Sequence, residues 1–122
     1  MKINEIAFTC YAVSDMAKSR AFYEGLLGLK PTTVHGDAGC ESQWVEYEIG
    51  AGAFALGQHA AFKPSPDGAS VAFEVDDFDG AIQELKAAGV TFKIEPMPTP
   101  VCHMAMVLDP DGSAVCIHKR KS

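Results

Sequence analysis

Cys116 and His118 stand two residues apart in Ala114–Lys119, a run whose alternation reads as a β-strand, so both side chains project from one face. Imidazole and thiolate are good zinc ligands, and Cys10, on the first strand of the chain, is a third donor that could join them. Cys116 as a nucleophile would need a cation to lower its pKa, and an i,i+2 separation of about 6–7 Å puts His118 too far for a direct bond. Two carboxylates offer different chemistry. Glu46 and Glu74 fall on the small, polar sides of their strands, and a carboxyl drawn into a partly dry pocket has its pKa pushed upward. Either could then abstract a proton beside a carbonyl, with His118 as the partner acid. At the wet rim of a cavity the same glutamates would simply be solvated. Trp44, the single tryptophan, suits stacking on a planar ligand, and equally a core or an interface. His103, beside Cys102, reads as a hydrogen-bonded structural histidine.

Positioning these side chains falls to a plan that the chain states twice. Ile6–Val13 reads as a strand that runs into Val13-Ser14-Asp15-Met16 and then an amphipathic helix ending at Gly28. Ser70–Val75 runs into Val75-Asp76-Asp77-Phe78 and a second helix ending at Gly89. The valines are 62 residues apart and the glycines 61, half of the 122-residue chain. Duplicated modules normally pack as a pair, because neither buries its apolar face alone. In the first helix Met16, Ser19, Tyr23, Leu26 and Leu27 share a side, with Phe22 at its margin; in the second, Phe78, Ala81, Ile82, Leu85 and Ala88 form the stripe. Ser14 or Asp15 supplies the first N-cap, and Gly28 and Gly89 suit the left-handed residue after a helix. Trp44–Ile49 and Ala53–Gly57 form a hairpin across Gly50-Ala51-Gly52, and His103–Leu108 and Ala114–Lys119 another across Asp109-Pro110-Asp111-Gly112. Thr91–Glu95 is a further strand ahead of the Pro-rich 96–100 stretch, and 31–34 is a weak one. Residues 61–68, with two prolines and a glycine, read as the linker between a first module at 1–60 and a second at 68–122 of one domain.

Composition narrows the function classes. Apolar residues make up 48% and charged ones 21%, ordinary for a globular protein. The net charge is −6, and the ten Lys and Arg cluster only at 119–121, so no basic face is available for nucleic acid. No apolar run approaches the roughly 20 residues of a membrane span. The first residues, Met1-Lys2-Ile3-Asn4-Glu5, hold no signal-peptide core, which places the expectation in the cytoplasm. Cys10, Cys40, Cys102 and Cys116 are too widely spaced for a zinc knuckle or a CxxC pair and are expected to be reduced, mostly buried thiols.

Val13-Ser14-Asp15-Met16 followed by Ala21-Phe22-Tyr23 and Leu27-Gly28-Leu29 resembles the opening of the vicinal oxygen chelate superfamily, which includes glyoxalase I, extradiol dioxygenases, and bleomycin and fosfomycin resistance proteins. Phe73-Glu74-Val75-Asp76-Asp77, Gly89-Val90 and Asp109-Pro110-Asp111-Gly112 are similar to the landmarks of its second module. The resemblance covers essentially the whole chain. It implies an α+β fold in which two paired βαβββ modules form a curved, cupped mixed sheet with helices on the convex side, usually in a homodimer. Family enzymes place a metal ligand on the first and last strand of each module, commonly two His and two Glu. On this chain those positions fall at Phe8 (Ile6 or Glu5 if a bulge interrupts 11–14), near Ala55, at Ser70 and at Cys116. Phe and Ala cannot coordinate a cation, Ser is a poor neutral ligand, and one thiol makes no site for a hard divalent ion. The resemblance therefore implies a member without the usual metal and with no cofactor.

Two readings follow. In the first the chain is a binding module similar to the drug-sequestering branch, with a small organic molecule in the cup. Phe8 and Trp44 give it apolar contact, Cys10, Ser70, Cys116 and His118 line it, and Glu46 and Glu74 make it attractive to a cation. In the second it is a lyase, isomerase or dioxygenase of the same superfamily that uses a nonstandard metal set or the acid–base residues Glu46, Glu74 and His118.

Overall fold

Strand alternation sorts each sheet of the protein into two faces, and one short helix per sheet covers the bulkier of them. The structure is a computed structural model that describes residues 2–36, 42–61 and 63–121; Cys40 lies outside the described residues. The chain divides into two units, Met1–Pro64 and Ser65–Ser122. The first contains β1 (Thr9–Ala12), α1 (Met16–Arg20) running on as a π-helical turn (Ala21–Leu26), β2 (Thr33–His35), β3 (Gln43–Ile49) and β4 (Gly52–Gln58). The second contains β5 (Val71–Glu74), α2 (Phe78–Ala87), β6 (Phe92–Pro98), β7 (Cys102–Leu108) and β8 (Ala114–Arg120). Each unit holds a four-stranded mixed sheet, ordered β1-β4-β3-β2 and β5-β8-β7-β6, in which the first strand runs parallel to the last and the others pair antiparallel. The fold is α+β, and the βαβββ plan occurs twice.

In the first unit the helical face of the sheet carries Tyr11, Val45, Tyr47, Phe54 and Leu56, all buried. Tyr23, fully buried, sets its ring 5.2 Å from that of Phe54, which also meets Tyr11 at 5.4 Å. Asp15 caps α1 by accepting from Lys18 N, and Gln58 Oε1 accepts from Met16 N at 2.6 Å, which ties the start of the helix to β4. The second half of this helix departs from the regular 3.6-residue stripe. Leu27 N reaches back five residues to Phe22 O, and the wider turn brings Phe22 and Tyr23 together into the interior while Leu26 and Leu27 stay half-buried. It also puts Glu24 where it accepts from Tyr47 Oη at 2.8 Å and from Arg20 Nε at 2.6 Å. Burial, reinforced by the Glu24 carboxylate, pushes the Tyr47 phenol far above its usual range.

In the second unit Asp77 caps α2, and the helix ends in paired bonds from Gly89 N to Lys86 O and Val90 N to Leu85 O. Gly89 takes φ +74°, a backbone that side-chain-bearing residues resist. Ile82 and Leu85 are buried on the stripe, but Ala88, expected there, is exposed because the helix has ended by that residue. Below them Val115, Ile117, Ala105 and Val107 form the helical face. His103 lies on this face too, its ring 5.9 Å from that of Phe78. Two strands differ from their expected bounds. β1 begins at Thr9 rather than Ile6, since only residues from Thr9 onward find partners on β4. β6 runs on through Pro96 to Pro98; it is an edge strand with shifts of register on either side of Ile94, which spares the prolines a ladder bond.

The β7–β8 turn fixes the register on which the candidate site depends. Buried Asp109 accepts from Asp111 N at 3.0 Å and Ser113 N at 2.8 Å, and Gly112 takes φ +82°. Leu108 is thereby set opposite Ala114, Met106 opposite Cys116 and Met104 opposite His118. An Asp109→Ala change leaves those two amides without their acceptor and is expected to lower stability by about 1–3 kcal/mol. Urea unfolding of the two proteins measures the loss.

Candidate functional site

The faces turned away from the helices collect the chemistry foreseen in the sequence, and strand register decides which groups meet. On the first sheet Cys10, Ala55, Glu46 and Thr33 lie side by side in one row, and Ala12, Gly57, Trp44 and His35 in the next. Trp44 Nε1 donates to Glu46 Oε1 at 2.8 Å. Phe8, just ahead of β1 and 46% exposed, meets Trp44 edge to face with ring centroids 5.3 Å apart. The result is an aromatic pair with a carboxylate held beside it, while Ala55 is fully buried. Cys10, expected among mostly buried thiols, is exposed, whereas Cys102 and Cys116 are buried; all three are free.

On the second sheet the corresponding rows are Ala72, Cys116, Met106 and Ile94, then Glu74, His118, Met104 and Met97. Parallel pairing of β5 with β8 sets Glu74 opposite His118, 44 residues away, with Nδ1 2.5 Å from Oε1. The other carboxylate oxygen accepts from the backbone N–H of Arg120 at 2.7 Å. The sequence brought Glu74 and His118 forward as an acid–base pair, and they do meet. The expected direction of the carboxyl's shift is overturned. The Arg120 amide, then His118, hold the Glu74 carboxyl below its usual range, and the side chain is too exposed for burial to reverse that. Glu74 is therefore an ionised acceptor, and His118 Nδ1 carries the proton of the bond, leaving Nε2 as the free nitrogen. Cys116 gains no activation from His118. Its thiol is pushed up by burial and further by Cys102.

The four metal positions implied by the family resemblance are placed as follows. Phe8 and Ser70 both precede their strands, and the residues directly beside Ala55 and Cys116 on β1 and β5 are Cys10 and Ala72. The pairing of β1 with β4 runs without a bulge through Val13, which removes the Ile6 and Glu5 alternatives. With either remaining choice the set offers no carboxylate and no imidazole, so it does not fit a hard divalent ion. Among the described residues no three His, Cys, Asp or Glu side chains gather into a metal-holding group. Cys10 belongs to the first unit, Cys116 and His118 to the second. The sequence reading passed over Met104 and Met106. The signal was present: both fall on the same alternate positions of β7, across the Asp-Gly turn from Cys116 and His118.

With the geometry in view, comparison with known proteins places the chain. It belongs to the Glyoxalase/Bleomycin resistance protein/Dioxygenase superfamily, whose profile matches residues 2–117. The anthracycline biosynthesis protein DauV of Streptomyces sp. (strain C5) is 29% identical over 104 residues, 84% of this chain; the chain spans only 37% of that relative's length. The crystal structure of TnmS3, an antibiotic binding protein from Streptomyces sp. CB03234, superposes with a TM-score of 0.81 at 22% identity, covering 99% of both chains. A glyoxalase/bleomycin resistance protein from the same strain gives 0.74 at 23% identity, over 93% of this chain and 98% of its own. At such identities the structural likeness establishes the fold. No helix among the described residues is long and apolar enough to cross a membrane.

A carboxyl whose pKa is depressed in the folded state stabilises the fold above its unfolded pKa, and the contribution is lost as pH falls through the folded value. Glu74→Gln should therefore lower the melting temperature at neutral pH, with the gap to the parent closing below the usual carboxylate range. Thermal melts from pH 7 to pH 3 measure it; a gap of constant size would mean that the Glu74 charge contributes nothing.

Proposed function

We propose that this chain is a binding protein that takes up a small, flat organic molecule on the far face of its first sheet, without the hard divalent ion of the family's enzymes. The observation that carries the reading is the far face of the first sheet. Where family enzymes place metal ligands this chain has Ala55 beside Cys10, and next to them the Phe8–Trp44 ring pair offers apolar edges to a planar ligand. In the second unit Cys116 and His118 on β8, with Ser70 just ahead of β5, offer further contacts on the far face of that sheet. Glu46, Glu74 and the net charge of −6 favour a cationic ligand. The names of DauV and TnmS3, one an anthracycline biosynthesis protein and one an antibiotic binder, support an antibiotic-like aromatic molecule. The two modules form one domain over residues 1–122, and the protein acts as a homodimer. Ile3 and Ile6, 82% and 81% exposed ahead of β1, give a second copy apolar side chains to cover. It works in the cytoplasm, where Cys10, Cys102 and Cys116 stay reduced.

The Glu74–His118 contact favours a second reading, a lyase, isomerase or dioxygenase working by acid–base chemistry. In that case His118 Nε2 is the proton acceptor and Glu74 orients the ring as a positioning residue.

Trp44, as the single tryptophan, reports directly on the site. Titration with an anthracycline should quench its fluorescence saturably, and Phe8→Ala should weaken binding at least tenfold. An absence of saturable quenching across a panel of flat aromatic antibiotics, cationic and neutral, overturns the binding reading. Sedimentation should return twice the mass of one chain; the monomer mass at micromolar concentration would remove the homodimer. If the chain is instead an acid–base enzyme, His118→Ala abolishes turnover of the substrate and Glu74→Gln lowers kcat with little change in KM.

A further inference from the structure

Thioether sulfur is the one donor type on the far face of the second sheet that the proposed binding function does not use. Met104 and Met106 are two of five methionines in the chain. Both are half-buried, and both sit on β7 directly across from β8 residues that carry donors of their own. Cross-strand neighbours on one face have Cβ atoms about 4.5–5.5 Å apart, and i,i+2 neighbours on a strand about 6–7 Å. Met104, Met106, Cys116 and His118 thus occupy the corners of a small quadrilateral, with two thioethers, one thiol and one imidazole turned to the same side.

His118 adds a second, independent sign. Its Nδ1–H is engaged by the Glu74 carboxylate, which itself is fixed by the Arg120 amide. That arrangement sets the tautomer, orients the ring and leaves the Nε2 lone pair for another partner. Metal-bound histidines are held in the same way, with a carboxylate on the second ring nitrogen. The donors exclude hard ions: there is no oxygen ligand at the four corners, and neutral thioethers bind Mg²⁺, Mn²⁺ and Ca²⁺ poorly. Thioether, thiolate and imidazole together select a soft, monovalent d¹⁰ ion.

We infer that Met104, Met106, Cys116 and His118 Nε2 form a binding site for Cu(I) on the far face of the second sheet. On binding, the Cys116 thiol gives its proton to solvent and the thiolate sulfur takes the ion; no electron is transferred. The site shares Cys116 and His118 with the proposed organic-ligand contacts, but the inference does not rest on that reading, which is carried by the aromatic pair beside β1 and on β3.

The test uses the whole chain with its thiols reduced, under argon. In competition with bicinchoninate the protein should retain one Cu(I) per chain, whereas Zn(II) should be removed by an ordinary chelator. Ag(I), a redox-inert stand-in, should shift the ε-methyl NMR resonances of Met104 and Met106 at one equivalent and leave that of Met16, buried at the start of α1 in the first unit, unmoved. The double change Met104→Leu/Met106→Leu keeps side-chain volume and should fold. It should weaken Cu(I) at least tenfold, as should Cys116→Ser. Failure to retain Cu(I), unshifted Met104 and Met106 methyls, or a loss below tenfold in the double variant overturns the site. Saturable quenching of Trp44 by an anthracycline would be untouched by any of these failures.

Discussion

Each module has one short helix, and one helix can cover only one side of a four-stranded sheet. From that constraint the rest of the structure follows. The side under the helix needs bulky apolar residues, supplied by Tyr11, Val45 and Leu56 in one unit and Val107, Val115 and Ile117 in the other. Because side chains alternate along a strand, the other side inherits what lies between them: Cys10, Ala55 and Glu46, or Ala72, Cys116 and Met106. Small, soft and polar groups accumulate there because they are not needed for the module's own core.

Within that frame the two modules have diverged in a chemically legible way. Equivalent rows hold Ala12, Gly57 and Trp44 in the first sheet and Glu74, His118 and Met104 in the second. The first module thus presents an aromatic edge backed by minimal side chains. The second presents a carboxylate–imidazole pair next to sulfur. Neither row carries the several oxygen ligands that a hard divalent ion requires. Strand pairing sets Trp44 across Gly57 from Ala12, so the meeting of Phe8 with Trp44 does not follow from the ladder.

Much of the fold was legible residue by residue. The helix stripes, the caps at Asp15 and Asp77, the glycine stops at Gly28 and Gly89 and both hairpin turns express local rules that act over a few residues. What escaped was set by neighbours distant in sequence. The π-helical turn forms where Phe22 and Tyr23 are both drawn inward and Glu24 is claimed by Tyr47, 23 residues on. β6 passes through its prolines because it lies at an edge, a position that sequence alone does not reveal. The candidate site divides along the same line. Trp44 and Glu46 share a strand face and were foreseeable as neighbours, whereas the state of Glu74 was not: its partners are the His118 ring and the Arg120 amide, brought in by a parallel pairing across 44 residues.

The sequence by itself determined the duplicated α+β plan, the sorting of each strand into two faces, and the poverty of hard metal donors at the family's ligand positions. These are consequences of period, turn chemistry and residue type, all of which are local. Tertiary structure alone decided that Glu74 is an ionised partner of His118 instead of a raised-pKa base, and that Met104 and Met106 stand across from His118 and Cys116. Both are matters of register between strands, and register is fixed only when the β7–β8 turn closes and β5 docks along β8.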